Sequence, residues 1–256
     1  MIQQQLALVP VERRGGARKK AGRKPADPSR RRVPHLTRPV ARARFAFHIT
    51  KRMRRDIPRL RGWDIGKVVR RGFVYGCRMS GIGGTRGRRG SSRGGGRDAS
   101  DRVLEFRICQ FSIQGNHIHL ICEASDNDAL ARGIQGWSVR VARGVNRFLG
   151  REGSVFDDRY HMRVLKTPTD TRHALCYVLQ NARRHGERLP RELNGIDPFS
   201  SAWWFDGWKD DSWREGIPPP EDRSVAEPKT WLLRVGWRRS KLGLIYVDEV
   251  PPAGRR

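Results

Sequence analysis

Between residues 44 and 186 the chain moves between two hydrophobic rhythms, one of period two and one of period three to four. Arg44-Phe45-Ala46-Phe47-His48-Ile49-Thr50 mixes aromatic and β-branched residues and predicts a strand. Trp63 to about Cys77 predicts a helix, interrupted in quality by Gly66, Gly72 and Gly76. Val103–Ser112 and Asn116–Glu123 predict two further strands. Leu130, Ile134, Trp137, Val141, Val145 and Phe148 then recur on one helical face, with Asp126 or Asn127 as the N-cap. A short strand near Tyr160–Leu165 follows. The last helix has marked ends: Thr167 caps it, Pro168 suits its first turn, Asp170 suits the positive N-terminus, and Gly186 stops it. The resulting order, β-α-β-β-α-β-α, is that of an α+β fold and is compatible with a ferredoxin-like split βαβ sheet carrying one extra helix.

Outside these elements the pattern fails. Residues 1–40 contain RRGGARKKAGRKP and SRRRVP with almost no apolar periodicity, and predict a flexible basic arm. Within it, Gly22-Arg23-Lys24-Pro25 resembles the core of an AT-hook, whose cations enter a narrow minor groove; a solvated basic tail is the plainer reading. Residues 81–100 are too rich in Gly and Arg to pack and predict a basic loop inserted into a domain spanning 41–189. Residues 190–256, rich in Trp, Pro and Gly, with strand-like pieces at Thr230–Val235 and Gly243–Val247, predict an appended C-terminal module.

Charge sharpens the picture. The 256 residues carry 53 Lys+Arg against 26 Asp+Glu, a net charge of +27 that is spread along the chain and implies a polyanionic partner. No apolar run has spanning length, so the expectation is a cytoplasmic, nucleoid-associated protein with no membrane partner. Cys77, Cys109, Cys122 and Cys176 lack C-x-x-C spacing and indicate neither a disulfide framework nor a zinc knuckle. The helix over 130–148 presents Arg132, Arg140, Arg143 and Arg147 on its other faces, either as a solvated side or as contacts for DNA.

Two places carry candidate chemistry. In Gly115-Asn116-His117-Ile118-His119-Leu120-Ile121, strand alternation projects His117 and His119 to one side while Ile118, Leu120 and Cys122 fill the other. Two imidazoles so placed can meet one metal ion, although ordinary polar-face histidines have the same pattern. On the 168–186 helix, Leu175, Val178, Leu179 and Ala182 form the core stripe, and Tyr177 lies nearly opposite it, with Asn181 one turn on and Arg184 beyond. A phenol, an amide oxygen able to ligate a metal and a guanidinium able to bind phosphate therefore stand on adjacent positions.

The stretch from about Arg44 to Gly186 resembles the REP-associated tyrosine transposases, within the HUH single-strand transposases of bacterial insertion sequences. That family has a segment similar to M-P-N-H-V-H-L-L at a strand and one similar to Y-I-H-L-N-P-V-R-A-G on a later helix. This chain has Gln114-Gly115-Asn116-His117-Ile118-His119-Leu120-Ile121 and Tyr177-Val178-Leu179-Gln180-Asn181-Ala182-Arg183-Arg184-His185-Gly186, in the same order. It departs at Gln114-Gly115, at Ala182 and in the Gly/Arg-rich insertion. The resemblance implies His117 and His119 as ligands of a divalent ion, Mg²⁺ or Mn²⁺, Asn181 as a polar group completing that site, and Tyr177 as the nucleophile. The implied reaction cleaves single-stranded or hairpin DNA through a 5′-phosphotyrosine, during transposition or repeat mobilisation. Arg184, Arg140, Arg143, Arg147, Arg23 and Lys24 would contact the DNA, and monomer and homodimer both stay open. A histidine-triad hydrolase would need a third histidine at position 121, which is Ile121. The remaining rival is a domesticated, non-catalytic nucleic-acid-binding protein.

Overall fold

The computed structural model describes residues 38–79, 106–218, 220 and 223–251. All but the last three residues of the expected basic arm, and the whole Gly/Arg-rich insert, lie outside them; Arg23 and Lys24 are among those undescribed positions. The elements run β1 (Ala46–Arg52), α1 (Trp63–Met79), β2 (Phe106–Ile113), β3 (His117–Ala124), α2 (Asn127–Leu149), β4 (His161–Leu165), α3 (Pro168–Leu179), α4 (Asn181–Arg184) and α5 (Trp231–Arg234). No helix among the described residues is long and apolar enough to cross a membrane.

The four strands form one antiparallel sheet in the order β2-β3-β1-β4. β3 lies between β1 and β2, so the β1-α1-β2 unit straddles a strand that comes later in the chain. A bulge between Ile108 and Gln110 lets Ile108 and Phe111, three positions apart, join the core on one side of the sheet, with Cys109 in the core on the other.

Alternation decides which residues go where. Phe47 and Ile49 of β1 and Ile118, Leu120 and Cys122 of β3 meet α1 and α2 in the first core. Helix α2 begins at Asp126, whose carboxylate accepts from Ala129 N at 2.7 Å, and ends at Gly150 in the left-handed region. Its buried stripe is Leu130, Ile134, Trp137, Val141 and Val145; Phe148, expected to continue it, is 48 % exposed, and Leu149 packs against the core in its stead. Gly72 weakens α1 as a helix, but a Cβ there would lie 2.7 Å from Val141 Cγ2, so its absence lets α1 and α2 close on each other.

The opposite face of the sheet is covered by α3 and by the C-terminal segment. Ala46, Cys109, Ile121 and Leu165 pack there with Leu175, Val178 and Leu179 of α3 and with Phe205, Trp208, Trp213, Leu233, Trp237 and Ile245. The segment expected as an appended module is thus part of the same compact unit as the sheet. Its strand-like pieces differ from expectation. Trp231–Arg234 is helical because Thr230 caps it, and of Gly243–Val247 only Ile245 makes a β-bridge, with Trp208.

Candidate active site

His117 and His119 sit on β3 on the face away from the first core, with β1 beside them. Their neighbours follow from register: Arg52 lies opposite His117 and Thr50 opposite His119, while Thr50 also lies opposite His161 of β4. His48 shares the face of Thr50 because Phe47 and Ile49 occupy the other.

A chain of hydrogen-bonding contacts runs through the histidines. His117 Nδ1 is 2.8 Å from Asn116 Oδ1, and His117 Nε2 is 2.9 Å from His119 Nε2. His119 Nδ1 is 3.1 Å from His48 Nε2 and 3.1 Å from Thr50 Oγ1. Burial keeps all three rings neutral. His48 is held at about 4 by burial, reinforced by the nearby Arg163 and His161. His117 is also held at about 4, by burial and then by Arg52 and His185. His119 is well below the ordinary value, through burial and then through His48, His117 and His185. Neutral imidazoles have the lone pairs that a metal ion requires. Among the described residues, no group of three or more His, Cys, Asp or Glu side chains is arranged to hold a metal.

Tyr177 comes to this cluster from the other layer. Thr167 Oγ1 accepts from Asp170 N at 3.1 Å and fixes the start of α3, with Pro168 in the first turn as expected. The Tyr177 ring stands edge-on to His119, with centroids 5.2 Å apart, and 5.8 Å from His48. It is half-buried on a helix whose neighbours Leu175, Cys176, Val178 and Leu179 are buried. The guanidinium of Arg184 lies 5.7 Å from the Tyr177 ring centre.

The helix expected to run to Gly186 breaks earlier. Gln180, at φ −107° and ψ 16°, separates α3 from the single turn of α4. Asn181 follows the break and is completely buried. Neither its Oδ1 nor its Nδ2 has a hydrogen-bond partner among the described residues, so it makes no hydrogen bond to His117 or His119.

The expected DNA contacts divide. Arg184 stands at the tyrosine. Arg140, Arg143 and Arg147 ride on α2, which packs on the first core and therefore lies across the sheet from His119 and Tyr177. The cations that register places beside the histidines are Arg52, opposite His117, and Arg163, opposite His48. His48 itself was missed, though the alternation Phe47-His48-Ile49 signals it. Glu123, on the same side of β3, has a structural part: its carboxylate accepts from the backbone N–H groups of Lys229 (2.9 Å) and Thr230 (2.8 Å).

No protein-family model matches the chain, and no curated protein matches it. A solved structure of a REP-associated tyrosine transposase bound to a REP hairpin is similar over 66% of this chain and 82% of that one, with 14% identity and a TM-score of 0.45.

Proposed function

We propose that this chain nicks and rejoins single-stranded DNA, with Tyr177 as nucleophile and His117 and His119 as the ligands of a divalent ion. The carrying observation is the position of His119, whose Nε2 lies 2.9 Å from that of His117 while its ring forms a T-shaped pair with Tyr177, centroids 5.2 Å apart. The proposed ligand pair and the proposed nucleophile, carried by separate layers of the fold, thus both neighbour His119.

The residues present fit such an ion. Asn116 Oδ1 can only accept, so it draws the His117 proton to Nδ1 and leaves Nε2 as a lone pair. Thr50 Oγ1 and His48 Nε2 can each accept from His119 Nδ1, which leaves His119 Nε2 as a lone pair as well. Two lone pairs then face one another at hydrogen-bond distance, an arrangement that a shared cation stabilises. Nitrogen donors without a carboxylate suit Mn²⁺ better than Mg²⁺, which takes oxygen ligands. The unpartnered amide of Asn181 remains the candidate for a further donor. When bound, the ion neutralises a non-bridging phosphate oxygen and orients the scissile bond.

The protein's own part is positional. Arg184, beside the tyrosine, offers a guanidinium to the phosphate. The Tyr177 oxygen attacks phosphorus, the bond to the 3′ oxygen breaks, and the phenolic proton is balanced by the one the departing 3′ oxygen takes up. The 5′ phosphate stays on Tyr177 until a 3′-hydroxyl attacks it, and because a phenol leaves more readily than a sugar alcohol the bond energy is kept for rejoining. The strand order β2-β3-β1-β4 supports a ferredoxin-like split βαβ sheet as the scaffold. The test is end-labelled hairpin DNA with Mn²⁺ on a denaturing gel. A labelled band at protein mass, lost with chelator and in Tyr177→Phe, is expected; a wild-type protein that binds DNA and never forms the band would mark it as a non-catalytic binder.

A further inference from the structure

The C-terminal segment carries a surface that the nicking site does not use. From Pro228 to Val247 the chain has Lys229, Arg234, Arg238, Arg239 and Lys241 and no acidic residue. The fold sorts this stretch by exposure. Leu232, Leu233, Gly236, Trp237, Ser240 and Ile245 are buried, while Trp231, Arg234, Val235, Arg239, Lys241 and Leu242 are exposed. Of the cations, Arg238 is neutralised by Asp206 at 3.0 Å, whereas Arg239 turns toward the Trp231 ring, 6.0 Å from its centre.

Trp231 is held in place although it is 52 % exposed. A Cβ on Gly236 would lie 2.5 Å from Trp231 Cζ3, so the indole rests on a bare stretch of backbone that only glycine leaves open. An ordered, half-exposed indole with a guanidinium 6.0 Å from its centre, on a stretch that also exposes Arg234 and Lys241, combines a stacking platform with phosphate contacts, the pairing that single-stranded nucleic acid requires. Charge decides against an apolar protein partner, because the exposed Val235 and Leu242 alternate with cations instead of forming a continuous face.

The surface is tied to the histidine strand. Glu123, which holds Lys229 N and Thr230 N at the foot of α5, lies four positions beyond His119 on β3, about 13 Å along the strand. We propose that the 231–242 surface is a second nucleic-acid contact, which takes the sugar–phosphate backbone and one stacked base of the single strand flanking the cleaved phosphate. The proposal rests on the nicking reading for the strand's identity, but its test does not need cleavage.

The experiment measures binding of a fluorescent thymidine oligonucleotide to the full chain, in chelator, across a salt series. Replacing Arg234, Arg239 and Lys241 together by Gln lowers the salt slope by about 2, at about 0.7 for each lost phosphate contact. Trp231→Ala weakens binding about 10- to 100-fold with the slope unchanged, and Trp231→Phe, which keeps an aromatic face, retains most of it. Lys67, Arg71 and Arg132, exposed on the helices across the sheet, give a charge-matched control when replaced by Gln. An equal loss of slope in the control would overturn the proposal, since net charge alone would then explain binding. So would an unchanged slope and affinity in the patch variants, or patch substitutions that abolish binding to phosphatidylserine vesicles or self-association and leave oligonucleotide binding intact. Loss of patch binding in a protein that never forms the tyrosine adduct would sink the nicking reading alone. An adduct-forming protein with an untouched slope would sink the patch alone.

Discussion

His119 Nδ1 lies 3.1 Å from Thr50 Oγ1, directly across the β1–β3 pairing. With Thr50 Oγ1 accepting, the His119 proton sits on Nδ1 and Nε2 is free to act with His117. Thr50→Val keeps the strand and removes one of the two partners of His119 Nδ1, leaving His48 Nε2. Calorimetric titration of Mn²⁺ into the metal-free protein is expected to show about 10-fold weaker binding in this variant. His117→Ala is expected to abolish the titration signal; retained stoichiometric binding in His117→Ala would remove the metal site from the histidine pair.

Tyr177→Phe deletes one oxygen from a half-buried ring whose contacts with His119 and Arg184 are made by the aromatic ring itself. The variant is expected to unfold within about 0.5 kcal/mol of wild type, to bind oligonucleotide with equal affinity, and to form no covalent adduct. An adduct that survives would mean another residue is the nucleophile.

Acid should loosen the fold through the same histidines. His48 and His117 titrate at about 4 in the folded chain, against an ordinary 6.5 once unfolded. Between those values the unfolded chain binds more protons than the folded one, so stability falls as pH drops from 6.5 toward 4. Urea midpoints measured across that range should decline, and His48→Gln should flatten the decline. A slope that His48→Gln leaves unaltered would show that its burial does not govern the acid response.

The clasp between α3 and the chain end should matter for stability in proportion to its burial. Arg172, 3 % exposed, pairs with Glu249 and also donates to the carbonyls of Gly243 and Leu244. Glu249→Gln leaves a buried guanidinium with neutral acceptors only and is expected to cost up to about 3 kcal/mol by denaturant titration. A cost near zero would mean neutral acceptors satisfy Arg172.

The features legible in the sequence were those set by neighbours along the chain. Asp126 and Thr167 announce their helices because capping is local, and His117 and His119 share a side because strand alternation is local. Features set by distant packing were not. Thr230 could be read as the start of a strand because the run after it is apolar, and only its placement against Glu123 reveals a cap. The break at Gln180 has no glycine or proline to announce it; its amide is held by the carbonyls of Tyr246 and Val247, far along the chain. The sheet face that Arg140, Arg143 and Arg147 join likewise depends on where α2 lands.

That hold on α3 also ties the position of Tyr177 to residues far along the chain. Arg172, Cys176 and Gln180, one turn apart on the tyrosine helix, all bond to residues between 243 and 249. Without those partners the tyrosine helix would show water a flank of guanidinium, thiol and amide that the fold otherwise buries. Cutting the chain before position 243 would therefore leave Tyr177 on an unsecured helix.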